Sequence, residues 1–411
     1  MLRNYLLTAW NVLMRRKLFT AINLLCVVLT LVVLMVITAL LESAFYPSGV
    51  EGKSDRMLQV FSIVTSGPHS TSYTPLGYKI VEKYLKPMKS LERVAVTTLP
   101  RTVSAYQGAT VSELQMRRTD ADYWKVLDFT VLAGRVLSDD DLAHGRFVAV
   151  INASTARRLF AGSAAVGQKV SVAGQLFEVC GVVEDAVQVN AFADIWAPIT
   201  TFPSTDYRRQ LTGDFTVMLL AHSAADLPQI RREVAQIAKG VEFDDPTVVN
   251  RAVFWGDSKL DLFARNTIAN QEDADSGAGK LLALIGAAML LFMLLPALNL
   301  VNLNTGRILE RSAEIGVRKA FGATSRQLMV QLVIENVLLC LAGGLIGLLC
   351  TEGVLWWLRG AGLIPYLNIH LNFTVFCYGL LIALVFGVLS GVIPAWKMAR
   401  LDPVHALKGA A

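Results

Sequence analysis

The sequence predicts a membrane protein with four transmembrane α-helices and a large α+β extracytoplasmic domain between the first and the second helix. Three observations lead to this fold class. The 411 residues are 54% hydrophobic and only 17% charged, whereas soluble domains average about 25% charged residues. Apolar stretches long enough to cross a bilayer stand near the start and in the last third of the chain. The long stretch between them has the composition of a folded soluble domain.

The first predicted span runs from Leu18 to Leu41 and contains no charged residue. A bilayer core about 30 Å thick requires roughly 20 helical residues, so this stretch is long enough to cross it. It is also longer than the apolar core of a signal peptide, which is about 7–15 residues, and no clear cleavage site follows it. We therefore interpret residues 1–17 as a cytoplasmic N-terminus and residues 18–41 as a retained transmembrane helix.

Residues 42–279 are predicted to form the extracytoplasmic domain. Short β-rich runs bounded by turn residues occur here together with helix-like stretches, a mixture typical of α+β folds. The β-rich runs are Met57–Val64, Phe147–Ile151, Leu176–Val183 and Phe215–Leu220, and the helix-like stretches are Leu76–Leu85, Ala153–Phe160 and Leu227–Ala238. The segment is well above about 150 residues, which allows two subdomains. Residues 266–279 are interpreted as the connector that returns to the membrane.

Residues 280–411 are predicted to hold three more transmembrane helices, at Leu281–Val301, Leu328–Trp357 and Phe373–Ile393. Lys and Arg concentrate around these spans: 14 of them stand outside residues 42–279 against 5 Asp and Glu, whereas that segment holds 24 against 28. Basic residues in short loops mark the cytoplasmic side of a membrane. Both termini are therefore predicted to be cytoplasmic, with residues 42–279 on the outer side.

Patterns that could indicate catalysis or ligand binding are incomplete. Gly277–Lys280 resembles the end of a phosphate-binding loop, but Ala274 replaces the first glycine and Leu281 the hydroxyl residue. Asp139–Asp141 lacks the spacing of a calcium loop and is interpreted as a solvated turn or a helix start. The sequence therefore predicts no catalytic residue, no cofactor and no metal. Because the basic excess lies in the apolar parts, it also predicts no nucleic-acid partner.

The loop between the second and third spans predicts a short charged helix over Leu309–Phe321. Glu314 and Arg318 have the favourable four-residue spacing for an ion pair, and Gly322 suits the left-handed position that ends a helix. Thr324–Gln327 then matches a capping box that starts the next helix. Two interpretations of the loop helix stay open: an interfacial helix that anchors the loop, or a docking element for a cytoplasmic partner.

This loop closely resembles the signature of the MacB/FtsX-like permease family of ABC transporters. The loop residues concerned are Glu310, Arg311, Glu314, Ile315, Gly316, Arg318, Lys319, Ala320, Phe321, Gly322 and Ala323. The run Pro394–Lys408 is similar to the family's C-terminal ending. Tyr123-Trp124, Gly134-Arg135 and Ala156–Phe160 are similar to its periplasmic core domain. The resemblance covers nearly the whole chain.

The resemblance implies a non-catalytic permease subunit in a bacterial inner (plasma) membrane, with residues 280–411 as an FtsX-like domain. MacB carries an ATPase fused to its N-terminus, whereas this chain starts at the first span, so a separate cytoplasmic ABC ATPase is expected to contact the loop. ATP hydrolysis by that partner would move the outer domain and export peptide, drug or lipoprotein cargo. Further implied partners are a second permease copy or a sister permease, a membrane-fusion adaptor and membrane lipid.

A second hypothesis is a regulatory or scaffolding protein that controls cell-wall hydrolases, as in the cell-division members of the family. Those members have a smaller outer domain, which favours export here. The polar residues Asn23, Glu335 and Asn336 stand towards the predicted cytoplasmic ends of the spans, so no polar route through the membrane is evident. The small-residue spacings Gly343-x3-Gly347 and Gly387-x3-Gly391 predict close approach between helices.

Overall fold

The computed structural model describes residues 17–47, 49–107, 110–160, 163–268, 271–310, 324–361 and 373–399. The chain divides into two compact units. The first, here called the sheet unit, is Phe45–Leu281, and the second, the helical unit, comprises Met1–Ala44 and Leu282–Ala411. The sheet unit is an α+β domain, and the described part of the helical unit consists of long apolar helices.

The described elements are numbered in chain order. The helices α1 to α10 are Lys17–Phe45, Tyr78–Ile80, Tyr123–Val126, Asp139–Ala143, Ala153–Phe160, Leu227–Lys239, Lys259–Thr267, Ala278–Glu310, Ser325–Gly360 and Phe373–Ala399. The strands β1 to β13 are Met57–Val60, Ile63–Ser66, Thr71–Thr74, Leu91–Thr98, Arg101–Gln107, Thr110–Thr119, Val131–Gly134, Val148–Asn152, Lys169–Val172, Gln175–Val183, Ile195–Pro198, Phe215–Ala221 and Arg251–Val253. A π-helical turn, Val81–Leu85, continues α2.

The runs predicted from the sequence match observed elements with small shifts. The helix predicted over Ala153–Phe160 has the observed bounds of α5. The run Met57–Val64 is divided into β1 and β2 by Phe61 and Ser62. The helix predicted from Leu76 begins only at Tyr78, because the backbone N–H of Leu76 donates to a carbonyl of β12 and so belongs to the sheet.

Six strands of the sheet unit form a closed ring. Neighbours in this ring follow the order β5, β9, β10, β8, β11 and β6, and β6 pairs in turn with β5. The pairs β10–β8 and β11–β6 are parallel, and the other four are antiparallel. Strands β4, β12 and β1 extend the sheet from β6. The result is a small mixed barrel joined to an open sheet.

The interior of the barrel is filled by apolar side chains. Side chains alternate between the two faces of a strand, so one set from each strand points inward. Ala105, Val170, Val172 and Phe177 are fully buried in this core, and Leu114 nearly so. Helix α5 adds two further side chains from its last turn. A barrel of this strand number is filled by its own side chains, so it is a packed core rather than a channel.

Two further apolar clusters complete the sheet unit. One lies where α2 and α6 cover the open sheet and includes Ile80, Val217 and Ile230, all fully buried. The other contains the aromatic group Tyr123, Trp124, Phe129 and Trp196, whose ring centroids are 4.9–5.9 Å apart. A second sheet of three strands has the order β13-β2-β3. The sheet unit therefore contains several apolar clusters rather than a single core.

The helical unit is held together by close contacts of α9 with α1 and α10. A Cβ atom added to Gly343 would lie only 2.8 Å from Cγ1 of Val27 on α1. One added to Gly387 of α10 would lie 2.7 Å from the sulfur of Cys340 on α9. These contacts confirm the close approach predicted at Gly343 and Gly387, because the glycines leave no side chain between the helices.

Two described helical segments are long and apolar enough to cross a membrane, namely Thr20–Phe45 in α1 and Val333–Gly360 in α9. Their lengths are 26 and 28 residues. Among the residues whose side chains are described, the apolar stretches of α8 and α10 are Ala278–Leu294 and Phe373–Leu389. The first and third predicted spans thus match long apolar helices, whereas a set of four spans stays a prediction.

Replacing Gly343 by leucine is expected to destabilise the helical unit. The added side chain would overlap Val27, and overpacking costs about 1–3 kcal/mol. Gly353 lies on the same helix with open space around its Cα, so Gly353→Leu is the matched control. Thermal unfolding of the full chain in detergent should show a lower midpoint for Gly343→Leu only. Equal midpoints for the two variants would contradict this packing.

Candidate functional site: the α7 junction

The predicted coupling loop is Glu310–Ala323. Residues 311–323 lie outside the part of the chain that the structure describes, as does the side chain of Glu310. Thr324 caps the start of α9 after the loop, and its side chain accepts a hydrogen bond from the backbone N–H of Gln327 at 3.4 Å. The side chain of Gln327 accepts the backbone N–H of Thr324 at 3.0 Å. The predicted capping box is therefore confirmed, and the contact role of the loop stays a prediction.

Buried charged groups of the sheet unit concentrate around α7, which precedes α8 in the chain. Arg265 of α7 is 3% exposed and forms a bidentate ion pair with Asp257, with N–O distances of 2.7 and 3.1 Å. Its third nitrogen donates to the carbonyl of Asp273 at 2.6 Å, and its guanidinium lies over the Trp255 ring. Burial raises the pKa of Asp257, and the hydrogen bond and charge of Arg265 oppose that rise.

The second buried carboxylate is Asp261, in the first turn of α7. One oxygen accepts from the hydroxyl of Ser276 at 2.5 Å, and the other accepts from Ser258 and from Arg231. Burial alone would raise the pKa of Asp261, but these hydrogen bonds and the Arg231 charge hold it below its ordinary value. The hydroxyl of Ser276 also accepts from the backbone N–H of Ala278, the first residue of α8. Asp261 is thus tied to the start of α8.

Helix α7 also contacts the end of α1. The ring of Phe263 meets the ring of Phe45, the last residue of α1, with centroids 5.4 Å apart and an interplanar angle of 61°. Lys259 forms an ion pair with Glu51, a carboxylate that is almost fully buried. Glu51 in turn accepts the backbone N–H of Asn190 at 3.1 Å. One short helix therefore connects the chain segments that leave α1 and enter α8.

We call this arrangement the α7 junction. It consists of Phe45, Glu51, Asp257, Ser258, Lys259, Asp261, Phe263, Arg265 and Ser276. The recess beside Trp255 has a volume of about 10 Å³, room for about one water molecule. Among the described residues, no group of three or more His, Cys, Asp or Glu could hold a metal ion. The charged groups of the α7 junction are engaged in contacts with one another.

The two motifs rejected on sequence grounds have structural explanations. Asp139–Asp141 starts α4, and Ser138 and Asp141 form its capping box. Arg135 forms a bidentate ion pair with Asp141, so this cluster is internally satisfied. Gly277 has a φ of +75° directly before α8, which explains its glycine without a bound phosphate. The helix-start interpretation of Asp139–Asp141 is confirmed.

Sequence reasoning missed the charged residues of the α7 junction. Ser258 and Asp261 match the capping-box spacing, which could have marked the start of α7. Neither Arg265 nor Ser276 belongs to a recognisable motif. Arg265 is paired with residues eight positions away and Ser276 with a residue fifteen positions away, spacings that no local motif indicates.

An α+β sheet unit lies between long apolar helices in the chain, the arrangement expected of a membrane-bound permease. The model of the MacB-like periplasmic core domain matches residues 20–237, more than half of the chain. The model of the FtsX-like permease C-terminal domain matches residues 286–403. The chain belongs to the MacB/FtsX-like permease family of ABC transporters, whose members are inner-membrane proteins with a periplasmic domain. Helix α7 lies between the two matched ranges.

Similar proteins include the ABC transporter permease YknZ of Bacillus subtilis, 28% identical over 336 residues that cover 79% of this chain and 77% of YknZ. The probable export ATP-binding/permease protein MacB of Pseudomonas entomophila is 26% identical over 307 residues. That match covers 72% of this chain but only 42% of the MacB protein. The crystal structure of the YknZ extracellular domain covers 48% of this chain and 98% of that domain, with 18% identity and a TM-score of 0.38.

The ion pair of the α7 junction is expected to contribute strongly to the stability of the sheet unit. Asp257→Asn removes the carboxylate of this buried ion pair, and breaking a buried ion pair costs about 3–5 kcal/mol. Asp244→Asn removes an exposed ion pair with Lys79 and should cost less than about 1 kcal/mol. Urea unfolding of the full chain in detergent, followed by near-UV circular dichroism, measures both free energies. Similar losses of unfolding free energy in the two variants would show that the buried ion pair matters no more than an exposed one.

Proposed function

We propose that the chain is the permease subunit of an ABC transporter and couples ATP hydrolysis by a separate cytoplasmic ATPase to movements of its outer domain. The observation that carries this proposal is the contact of α7 with both the end of α1 and the start of α8. A single helix of the sheet unit thereby contacts residues at both points where the chain passes between the two units. Membership of the permease family supports the same function.

The proposed topology has four transmembrane helices, with α8 and α10 as the second and fourth spans. The basic residues around the spans support a cytoplasmic location of both termini and of the loop Glu310–Ala323. Residues 42–279 then lie on the outer side of a bacterial inner membrane. Residues 280–411 form the FtsX-like part, which the matched range 286–403 supports.

In the proposed mechanism the loop Glu310–Ala323 contacts the ATPase, and a push on the loop moves α8. The first turn of α8 is linked through Ser276 to Asp261, so this movement reaches α7. The buried pair of Asp257 and Arg265 keeps α7 in place within the sheet unit, because breaking a buried ion pair is strongly destabilising. The sheet unit therefore moves with the helices instead of absorbing their displacement.

The proposed process is export of peptide, drug or lipoprotein cargo, handled on the outer side of the membrane. A relative named as a probable export protein supports export. The packed interior of the barrel supports handling of cargo by movement of surfaces rather than by passage through the sheet unit. Proposed partners are the ATPase, a second permease copy or a sister permease, membrane lipid and a membrane-fusion adaptor.

Reversing the charges of the loop helix is expected to abolish coupling to the ATPase. In the variant Glu314→Lys with Arg318→Glu, surfaces that matched the partner become repulsive, so stimulation of ATP hydrolysis should fall more than about tenfold. The measurement is ATPase activity in proteoliposomes that contain the full chain and its ATPase. The matched control exchanges the charges of the exposed pair Glu352 and Arg359 in α9, which should change little. Intact stimulation in the loop variant would refute the docking role.

A second variant separates docking from transmission. Asp261→Asn with Ser276→Ala removes the link between α7 and the start of α8, so the outer domain should move less for the same ATP hydrolysis. We expect normal ATPase binding, and a several-fold smaller ATP-dependent change in distances between spin labels on the sheet unit. Ser204→Ala, which alters an exposed Ser–Asp hydrogen bond, is the control. Unchanged distances in the double variant would show that the α7 junction does not transmit.

A further inference from the structure

One end of the barrel is crossed by an arginine side chain. Arg118 stands on β6 at the inward-facing positions that continue from Leu114 and Met116. Its Nη2 donates to the side-chain oxygen of Gln175 on β10 at 3.0 Å. Because β6 and β10 are opposite strands of the six-stranded ring, this hydrogen bond spans the barrel end. The side-chain nitrogen of Gln175 donates onward to the carbonyl of Thr201.

The guanidinium of Arg118 uses few of its donors. A guanidinium carries five N–H groups, yet Gln175 is its one hydrogen-bond partner among the described residues, and Nε is buried with none. One face of the group is covered by the ring of Phe202 at 4.5 Å. The neighbouring Arg117 is different, because its three nitrogens donate to the carbonyls of Thr98, Val189 and Phe192. Arg117 is a satisfied structural arginine, whereas Arg118 retains unused donors.

The positive charge of Arg118 is also uncompensated. Within the described ranges no carboxylate forms an ion pair with it. Arg101 of β5 pairs with Met116, two residues before Arg118 on β6, so the two arginines stand on the same face at this end of the barrel. Burial and the charge of Arg101 both lower the pKa of Arg118. Arg101 forms an ion pair with Asp214, and its side chain is 68% exposed. At this end of the barrel the carboxylate of Asp214 therefore pairs with Arg101, and Arg118 has no carboxylate partner among the described residues.

We propose that Arg101 and Arg118 form an oxyanion-binding site at the mouth of the barrel, for the phosphate or carboxylate group of a small ligand. Planar guanidiniums with free donors match such groups in geometry and in charge. Phe202 and Gln175 hold the Arg118 plane in position, so little side-chain freedom is lost on binding. The exposed side chain of Arg101 provides access from solvent. This site is independent of the coupling role of the α7 junction.

The test uses the full chain in detergent, with inorganic phosphate titrated in chloride buffer by isothermal titration calorimetry. Binding to the native chain is expected, and Arg101→Gln should weaken it roughly tenfold because one charge-assisted hydrogen bond is lost. Arg118→Lys should weaken it similarly, since the charge stays but the planar fork does not. The control Arg232→Gln removes an equal charge from exposed Arg232 of α6 and should leave the affinity unchanged.

Two further measurements address destabilisation of the Arg118→Lys variant and the chemical source of the anion. If Arg118→Lys lowers the thermal midpoint of the chain, the exposed Arg101→Gln variant still decides, because its side chain contributes little to the core. Titration with glycerol 3-phosphate distinguishes the source of the anion: equal or tighter binding indicates a phosphate ester such as a lipid headgroup, and binding of phosphate alone indicates a free anion. Undetectable phosphate binding, or equal affinities in Arg101→Gln and Arg232→Gln, would overturn the proposal.

Discussion

A charge removed from water must find a partner, and this constraint organises the part of the sheet unit around α7. Asp257 and Asp261 are both buried. Asp257 is paired with Arg265, and Asp261 accepts hydrogen bonds from Arg231, Ser258 and Ser276. Removing one partner of a buried ion pair is strongly destabilising. The contacts that satisfy the carboxylates are therefore also the contacts that hold α7 to its neighbours. Ser276, at the entry to α8, is one of those donors.

The same constraint distinguishes support from binding at other arginines. Arg265 and Arg117 are buried with every nitrogen engaged, so their position is determined by the fold itself. Arg118 lies at the barrel end with a single hydrogen bond and a second guanidinium beside it. A protein that only needed to close its barrel could have used an apolar side chain there. The unused donors of Arg118 are the groups that the proposed anion site relies on.

Local sequence patterns predicted the elements whose formation depends on neighbouring residues. Helix α5 has its predicted bounds, and the capping box at Thr324 is present because each of its hydrogen bonds joins residues three positions apart. The closure of the barrel was not predictable in this way. It depends on β6 pairing with both β5 and β11, and β11 lies more than seventy residues further along the chain. Pairing between strands so far apart in the chain produces no periodic pattern in the sequence.

The sequence by itself determined the class of the protein. The long apolar stretches, the uneven charge and the loop motif around Glu314 are properties of composition and spacing, and they indicated a permease before any contact was known. Only the tertiary structure decided which charges are buried and what they touch, as at Arg265 and Ser276. The physical reason is that the burial of a residue depends on all the segments that pack around it. A carboxylate in solvent needs no protein partner, whereas a buried carboxylate must be paired or hydrogen-bonded.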